Sequence, residues 1–329
     1  GVRIGYDRNS TGTMVLSNNA SVTATANNVY IGATENDSYT NAEGILTLKD
    51  SSSFTATNTY FGYKGISTGT LNIQDSATYT TNSMVLGYRY DSTSTAMSGT
   101  VNLDGGTLVA GQISKGAGNA TFNANGGTLK AKGNQADFLK NLEINLLAGG
   151  LTIDTQGYTV FNANMITNTS TMTGVGGLTK IGTGTLTLNQ AQTYTGATKV
   201  EAGTLAIGGS IASAQVHVAN GATLELNNAS ALLDTVTVYL EDGATLFLGA
   251  DSGEIITFNE LFVNGTQVAA GTYADNDPIW NEIFTNDNVE IYANSNVTLV
   301  IAIPEPSTYA LMGGVGLLGM TLLRRRRKN

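Results

Sequence analysis

A short glycine-led motif returns along the first third of the chain at spacings too small for separate domains. Its four copies start at glycines 32, 25 and 30 residues apart: Gly12-Thr13-Met14-Val15-Leu16, Gly44-Ile45-Leu46-Thr47-Leu48, Gly69-Thr70-Leu71-Asn72-Ile73 and Gly99-Thr100-Val101-Asn102-Leu103. In the last three copies two apolar residues flank a polar one, which predicts strands with one buried face. One unit has too few apolar residues for its own core, so the repeats predict stacked coils.

A second motif precedes each of these strands and usually ends in tyrosine. Its copies are Arg3-Ile4-Gly5-Tyr6, Tyr30-Ile31-Gly32, Tyr60-Phe61-Gly62-Tyr63 and Val85-Leu86-Gly87-Tyr88. A turn residue follows the strand in three copies, at Asn18, Asp50 and Asp75. Each unit is therefore expected to hold about three short strands joined by turns.

Further along, the motif becomes Gly-Thr-Leu or Gly-Ala-Thr-Leu, at Gly127, Gly184, Gly203, Gly221 and Gly243. The last four glycines are 19, 18 and 22 residues apart. A repeat near 20 residues with three strands matches one coil of a parallel β-helix, whose coils stack about 4.8 Å apart. We expect Leu186, Leu205, Leu224 and Leu246 to stack inward in neighbouring coils.

One passage carries a more specific pattern. Gly176-Gly177-Leu178-Thr179-Lys180 leads into Gly182-Thr183-Gly184-Thr185-Leu186, and Tyr194-Thr195-Gly196 precedes Thr198-Lys199-Val200. Residues 174–207 resemble the autotransporter-associated β-strand repeat of exported bacterial passenger regions. The resemblance implies an all-β, right-handed parallel β-helix.

The chain closes with Pro304-Glu305-Pro306, an apolar run from Ala310 to Leu323, and a basic cluster. The 14-residue run makes a helix of about 21 Å, short of a hydrocarbon core of about 30 Å. Adding residues 307–309 gives a marginal span, so we expect a single short hydrophobic helix over 307–323. The basic cluster is Arg324, Arg325, Arg326 and Arg327, which favour the cytoplasmic side.

This three-part order resembles the PEP-CTERM sorting signal. The resemblance implies recognition and processing by a membrane-embedded exosortase near Pro304-Glu305-Pro306. It also implies transient anchoring in the inner membrane of a Gram-negative-type bacterium, followed by transfer to the cell surface or outside. The alternative is an ordinary tail anchor, which needs no Pro-Glu-Pro.

The chain divides by sequence into solenoid repeats over 1–116, a β-helix over 117–302 and the sorting signal over 303–329. Residues 1–302 hold 11 basic and 24 acidic side chains, a net charge of −13, which disfavours nucleic acid as a partner. The chain starts inside a repeat, so we expect further sequence upstream, including an export signal. Expected partners are exosortase and the export machinery, the membrane, and exopolysaccharide or other surface proteins.

Residues that carry chemistry are scarce. There is no cysteine, and the single histidine, His217, lies between Val216 and Val218 on the outward side of a predicted strand. Asp50 and Asp75 fit turn positions better than a carboxylate site. Asp275, Asp277 and Asp287 lie near Trp280 and Phe284 but lack calcium-loop spacing. We therefore expect no catalytic residues, metal or cofactor.

Tyr6, Tyr63 and Tyr88 each follow a motif glycine and predict a stacked aromatic ladder, with glycan contact as the alternative. The sequence favours a non-enzymatic, exported surface or matrix protein with a structural or adhesive role. The alternative function is a glycan-binding or polysaccharide-cleaving β-helix on the same sorting route. The scattered basic residues of 1–302 count against a lyase that must neutralise uronate.

Overall fold

The computed structural model describes residues 1–34, 41–88, 96–161, 170–274, 289–294 and 296–302, and these residues form strands and turns. The strands, in chain order, are β1 (Val2–Tyr6), β2 (Ser10–Leu16), β3 (Ser21–Ala24), β4 (Val29–Ala33), β5 (Asn41–Leu48), β6 (Ser53–Ala56), β7 (Asn58–Tyr63), β8 (Ile66–Gln74), β9 (Thr78–Leu86), β10 (Ser98–Asp104), β11 (Thr107–Lys115), β12 (Asn119–Ala124), β13 (Gly127–Ala131), β14 (Leu139–Lys140), β15 (Glu143–Leu146), β16 (Leu151–Asp154), β17 (Thr159–Phe161), β18 (Thr171–Gly174), β19 (Leu178–Ile181), β20 (Thr185–Leu188), β21 (Ala191–Gln192), β22 (Thr198–Val200), β23 (Gly203–Ile207), β24 (Ser210–Ile211), β25 (Gln215–Val218), β26 (Ala222–Leu226), β27 (Thr237–Leu240), β28 (Thr245–Leu248), β29 (Ile255–Phe258), β30 (Glu260–Val263), β31 (Thr266–Gln267), β32 (Gly271–Ala274), β33 (Glu290–Ala293) and β34 (Thr298–Ile301).

Three long parallel sheets build a β-solenoid. The first sheet runs from β1 to β31 and contains one strand from nearly every coil. The second sheet packs against its N-terminal part, in the order β18-β15-β12-β10-β8-β5-β2. From β17 onward a third sheet, β17-β20-β23-β26-β28-β33, forms another side of the solenoid. The predicted parallel β-helix is confirmed.

The stacking of the repeats follows the predicted register. Leu186 pairs with Leu205, Leu205 with Leu224, and Leu224 with Leu246, and all four leucines are fully buried. They belong to a buried hydrophobic cluster that runs through the solenoid from Ile4 to Ile301. The core and the first sheet both continue across the boundary predicted at residue 116, where β11 pairs with β13.

The expected three strands per coil occur in several coils, such as β19-β20-β21 and β22-β23-β24, but not in all of them. The first two coils have three strands, but in the third coil β9 pairs along its first part with β6 and along its second part with β7. Two short strands of one coil thus lie beside one nine-residue strand of the next. This strand continues through the polar residues Thr81, Asn82 and Ser83, where the buried positions shift from 79 and 81 to 84 and 86.

Two columns of glycines explain the paired motifs. In the first column, Gly5, Gly32, Gly62 and Gly87 have φ angles of 62–67°, a left-handed conformation that favours glycine. A Cβ atom on any of them would meet the backbone of the second sheet. In the other column a Cβ on Gly12, Gly44, Gly69 or Gly99 would collide with the first sheet. The two sheets therefore approach each other at a line where only hydrogen atoms fit.

The last described coils change from parallel to antiparallel pairing. Strand β31 folds back on β30, and β32 pairs antiparallel with β34, which also pairs parallel with β29. The helix predicted over 307–323 lies outside the described residues. Within the described ranges, no helix has the length and hydropathy of a membrane span.

Candidate functional site

The predicted sorting residues, Pro304, Glu305, Pro306 and Arg324 to Arg327, lie outside the described residues. The described chain reaches Ala302 directly after β34. The sorting segment therefore follows immediately on a strand that is paired on both sides, with β29 and β32.

The best repeat copy is held together by a buried lysine. Lys180 occupies an inward position between Ile153 and Val200 of the adjacent coils and is fully buried. Its Nζ donates to three backbone carbonyls, those of Ile181 (3.1 Å), Gly182 (2.7 Å) and Ala202 (2.9 Å). Burial lowers the pKa of Lys180 to about 8, although Asp154 opposes the shift. The ammonium therefore joins the turns of two coils from inside the core.

Other residues of this copy also have structural partners. The Tyr194 hydroxyl is 2.7 Å from Thr198 Oγ1, both side chains are buried, and burial raises the pKa of Tyr194. Gly182 has φ of 79°, and a Cβ there would meet Gln156 N and Asp154 Oδ1. The tyrosine, threonine, lysine and glycine of the motif therefore all make structural contacts within a coil or between neighbouring coils.

Tyr63 and Tyr88 form the predicted aromatic ladder, and two further tyrosines join them. The rings of Tyr63 and Tyr88 are stacked at 5.6 Å, and those of Tyr30 and Tyr60 at 5.6 Å. Cross-contacts join Tyr30 to Tyr63 at 4.9 Å and Tyr60 to Tyr88 at 4.5 Å. We call these four half-buried residues the tyrosine cluster.

Tyr6 lies apart from this cluster. Its register partner in the next coil is Ala33, which interrupts the ladder, and the Arg3 guanidinium lies 4.1 Å from the Tyr6 ring centroid. Glycan contact by Tyr6, Tyr63 and Tyr88 stays a prediction. Stacking within the tyrosine cluster covers ring faces on which a sugar would stack.

His217 points outward, as its alternation with two buried valines predicts. Its ring stacks on Tyr239 at 4.4 Å, and Tyr239 stacks on Phe262 at 5.0 Å. The pKa of His217 is lowered by partial burial and by Lys199, against the opposing effect of Glu241 and Glu201. The three rings border a shallow cleft of about 470 Å³ that also contacts Glu241 and Asp242.

The turn carboxylates connect neighbouring coils. Asp50 Oδ2 accepts the backbone N–H of Asn18 at 2.8 Å, and Asp75 Oδ2 accepts that of Asp50 at 3.0 Å. Asn18, Asp50 and Asp75 have φ of 54–57°, the left-handed turn conformation that Asn and Asp tolerate. Asp275, Asp277 and Asp287 lie outside the described residues. In the part of the chain that the structure describes, no three His, Asp or Glu side chains group closely enough to hold a metal.

A ladder of amides along the second sheet was missed from the sequence. Asn102, Asn123 and Asn145 each donate from Nδ2 to the Oδ1 of the asparagine in the preceding coil, at 2.8, 2.8 and 3.0 Å. At its ends Asn72 donates to Thr47 Oγ1, and Thr173 donates to Asn145. The signal was an asparagine at the same position of successive repeats, in Leu71-Asn72-Ile73 and Val101-Asn102-Leu103.

Comparison with known families adds two matches. Residues 302–328 match the PEP-CTERM protein-sorting motif, and residues 178–207 match the passenger-associated transport repeat. No curated protein and no solved structure matches the chain.

The chain carries both motifs that the sequence predicts. The sorting motif implies handling by exosortase machinery. Together the motifs mark an exported protein of the Gram-negative cell surface or extracellular space.

Proposed function

We propose that this chain is a non-enzymatic component of the cell surface or extracellular matrix with a structural or adhesive role. Residues 307–323 hold it transiently in the inner membrane, with Arg324 to Arg327 on the cytoplasmic side, until exosortase processes it near Pro304-Glu305-Pro306. The observation that carries the proposal is the sorting motif directly after a continuous β-solenoid.

The roles of the polar side chains support a structural function. Lys180, Asp50, Asp75 and the asparagine ladder all bond from one coil to another. Such bonds hold neighbouring coils together, and a solenoid of stacked coils presents extended faces for contact with other surface components.

The sorting step is tested by expressing the chain in a host with exosortase and in a matched deletion host. We expect the surface protein to lack the arginine cluster only where exosortase is present, as measured by C-terminal mass. Replacing Pro304-Glu305-Pro306 by three alanines should retain the protein in the membrane. A surface protein that keeps its arginines in the exosortase host contradicts the sorting proposal.

The structural role is tested separately. Loss of the gene should reduce cell attachment or matrix cohesion, and the wild-type gene should restore it. The purified protein should release no reducing ends from soluble polysaccharides. Depolymerisation of any of these substrates contradicts the non-enzymatic proposal without affecting the sorting proposal.

The cleft beside His217, Tyr239 and Phe262 favours a second candidate, glycan binding on the same sorting route. Aromatic rings beside Glu241 and Asp242 combine an apolar surface with hydrogen-bond acceptors, as sugar sites do. If this candidate holds, Tyr239→Ala should abolish retention on immobilised polysaccharide. Tyr158→Ala, at a half-buried tyrosine on another coil, is the matched control.

A further inference from the structure

The tyrosine cluster places four phenol rings from three successive coils on one outer face of the first sheet. Tyr30 lies on β4, Tyr60 and Tyr63 lie on β7, and Tyr88 follows β9. The ring centroids of contacting pairs are 4.5 to 5.6 Å apart. Tyr88 contacts both Tyr60 and Tyr63. It is therefore the ring through which the last of these three coils joins the cluster.

These contacts exceed what stacking of coils requires. The register column of Tyr30 and Tyr60 continues in later coils with Val85, Ser114 and Lys140, so stacking of coils does not require an aromatic ring at this position. All four phenols are half-buried, so each ring keeps an edge toward solvent while touching its neighbours. Phenols packed in this way can exchange an electron and can also form a bond after a small tilt of the rings.

The chain has no cysteine, so its coils cannot be joined by disulfides, which are the usual covalent cross-links of exported proteins. Oxidative coupling of two tyrosines is another side-chain reaction that forms a covalent cross-link, in this case a carbon–carbon bond. We propose that the tyrosine cluster is an oxidative modification site, at which Tyr88 couples to Tyr63 or Tyr60 and joins two coils covalently.

The chemistry needs a peroxide and a one-electron catalyst such as a haem peroxidase. Each of two phenols loses one electron and one proton and becomes a phenoxyl radical. The radicals join through ring carbons ortho to the oxygens, and the two ring hydrogens pass to the oxygens, which restores both aromatic rings. Hydrogen peroxide takes up the two electrons and two protons and becomes two water molecules.

Tyr88 is the ring that both candidate pairs share. The rings of Tyr63 and Tyr88 are within 11° of parallel, with their centroids 5.6 Å apart. Tyr60 and Tyr88 are closer but tilted by 51°. Tyr79, in contrast, is fully buried with its hydroxyl 2.7 Å from Thr59 Oγ1, so it has no ring exposed to an oxidant.

The test treats the purified 329-residue chain with a haem peroxidase and hydrogen peroxide at low protein concentration, and then digests it with trypsin. Lys49, Lys64 and Arg89 separate peptide 50–64, with Tyr60 and Tyr63, from peptide 65–89, with Tyr79 and Tyr88. We expect one cross-linked species of these two peptides, two hydrogen masses below their sum, from monomeric protein. Fragmentation should place the bond on Tyr88, and dityrosine fluorescence should appear with it.

Tyr88→Phe keeps the stacked ring but removes the phenol, so it should remove this species while circular dichroism stays unchanged. Tyr158→Phe is the control, because Tyr158 is half-buried and has no ring contact among the described residues. It should leave the yield unchanged. Oxidised wild-type protein should also unfold at higher denaturant than untreated protein, and oxidised Tyr88→Phe should not.

Three results would overturn the proposal. The cross-linked pair is absent from oxidised monomer, it persists in Tyr88→Phe, or dityrosine forms only between chains. Each can be read from the same digest, and none depends on sorting or adhesion.

Discussion

At the scale of single residues, stability depends on a few positions where neighbouring coils or sheets touch. The motif glycines are the clearest set, because Gly69 and its equivalents lie where the backbones of two sheets touch. Lys180 is the other case, since it places a charge inside an otherwise apolar column. Both positions follow from contacts between coils and not from local strand preference.

Gly69→Ala should destabilise the solenoid by about 1–3 kcal/mol, the usual cost of an over-packed core. The added methyl group would meet the Ile31 carbonyl in the facing sheet, so a backbone segment must move. Urea unfolding measures the loss. Gly133→Ala is the control, because a Cβ at Gly133 has open space, and it should change stability little. Equal effects at both sites would contradict the close approach of the sheets.

The stability of the fold should rise with pH between about 8 and 10.5 through Lys180. Its folded pKa is about 8, below the ordinary lysine pKa of 10.5, so in this window the unfolded chain binds more protons than the folded chain. Unfolding therefore becomes harder as pH rises. Denaturation midpoints across this range measure the slope, and Lys180→Met should flatten it. An unchanged slope in Lys180→Met would show that other groups cause the pH dependence.

At the scale of elements, neighbouring strands are joined by side-chain ladders as well as by backbone bonds. The asparagine ladder runs along the second sheet. The turn carboxylates form a second row, in the turns that follow successive strands of this sheet. Each amide donates toward the preceding coil, so all the ladder bonds point in one direction. Removing one member affects the coils on both sides.

Asn102→Leu should cost roughly 1 kcal/mol, because it removes the donor to Asn72 and the acceptor for Asn123. The positions are half-buried, so water partly replaces the lost partners. Thermal unfolding compares this variant with Thr100→Val, a change on the same face of the same strand. A larger loss in Thr100→Val would mean that the amide ladder contributes nothing specific.

At the scale of the whole molecule, one continuous core makes folding cooperative along the solenoid. Buried side chains from Ile4 to Ile301 belong to a single cluster, so disturbance of one coil is transmitted to its neighbours. The last described coils end this stack in antiparallel pairs, which direct the chain toward the sorting segment at Ala302.

Leu205→Asp should abolish cooperative unfolding of the solenoid. The carboxylate would lie between Leu186 and Leu224 with no partner, and an unpaired buried charge costs several kcal/mol or more. Circular dichroism during thermal unfolding detects the loss. Leu205→Met keeps the volume and should retain a cooperative transition. A cooperative transition in Leu205→Asp would contradict the inward stacking of these leucines.

The sequence alone determined the repeat, the inward leucines and the order of the sorting signal. Alternation with period two decides which face of a strand is buried, and Gly203 and its equivalents mark where each coil begins. These features are local or periodic, so they can be read without knowing which coil lies on which.

The tertiary structure decided what depends on the register between coils. Only the register between coils brings Tyr30 against Tyr63 and Tyr60 against Tyr88. The same register pairs Tyr6 with Ala33. It also places Lys180 within reach of the Ala202 carbonyl, 22 residues away in the next coil. Loops of unequal length separate the repeats, so the alignment of distant side chains is fixed only when the strands pair and the core closes.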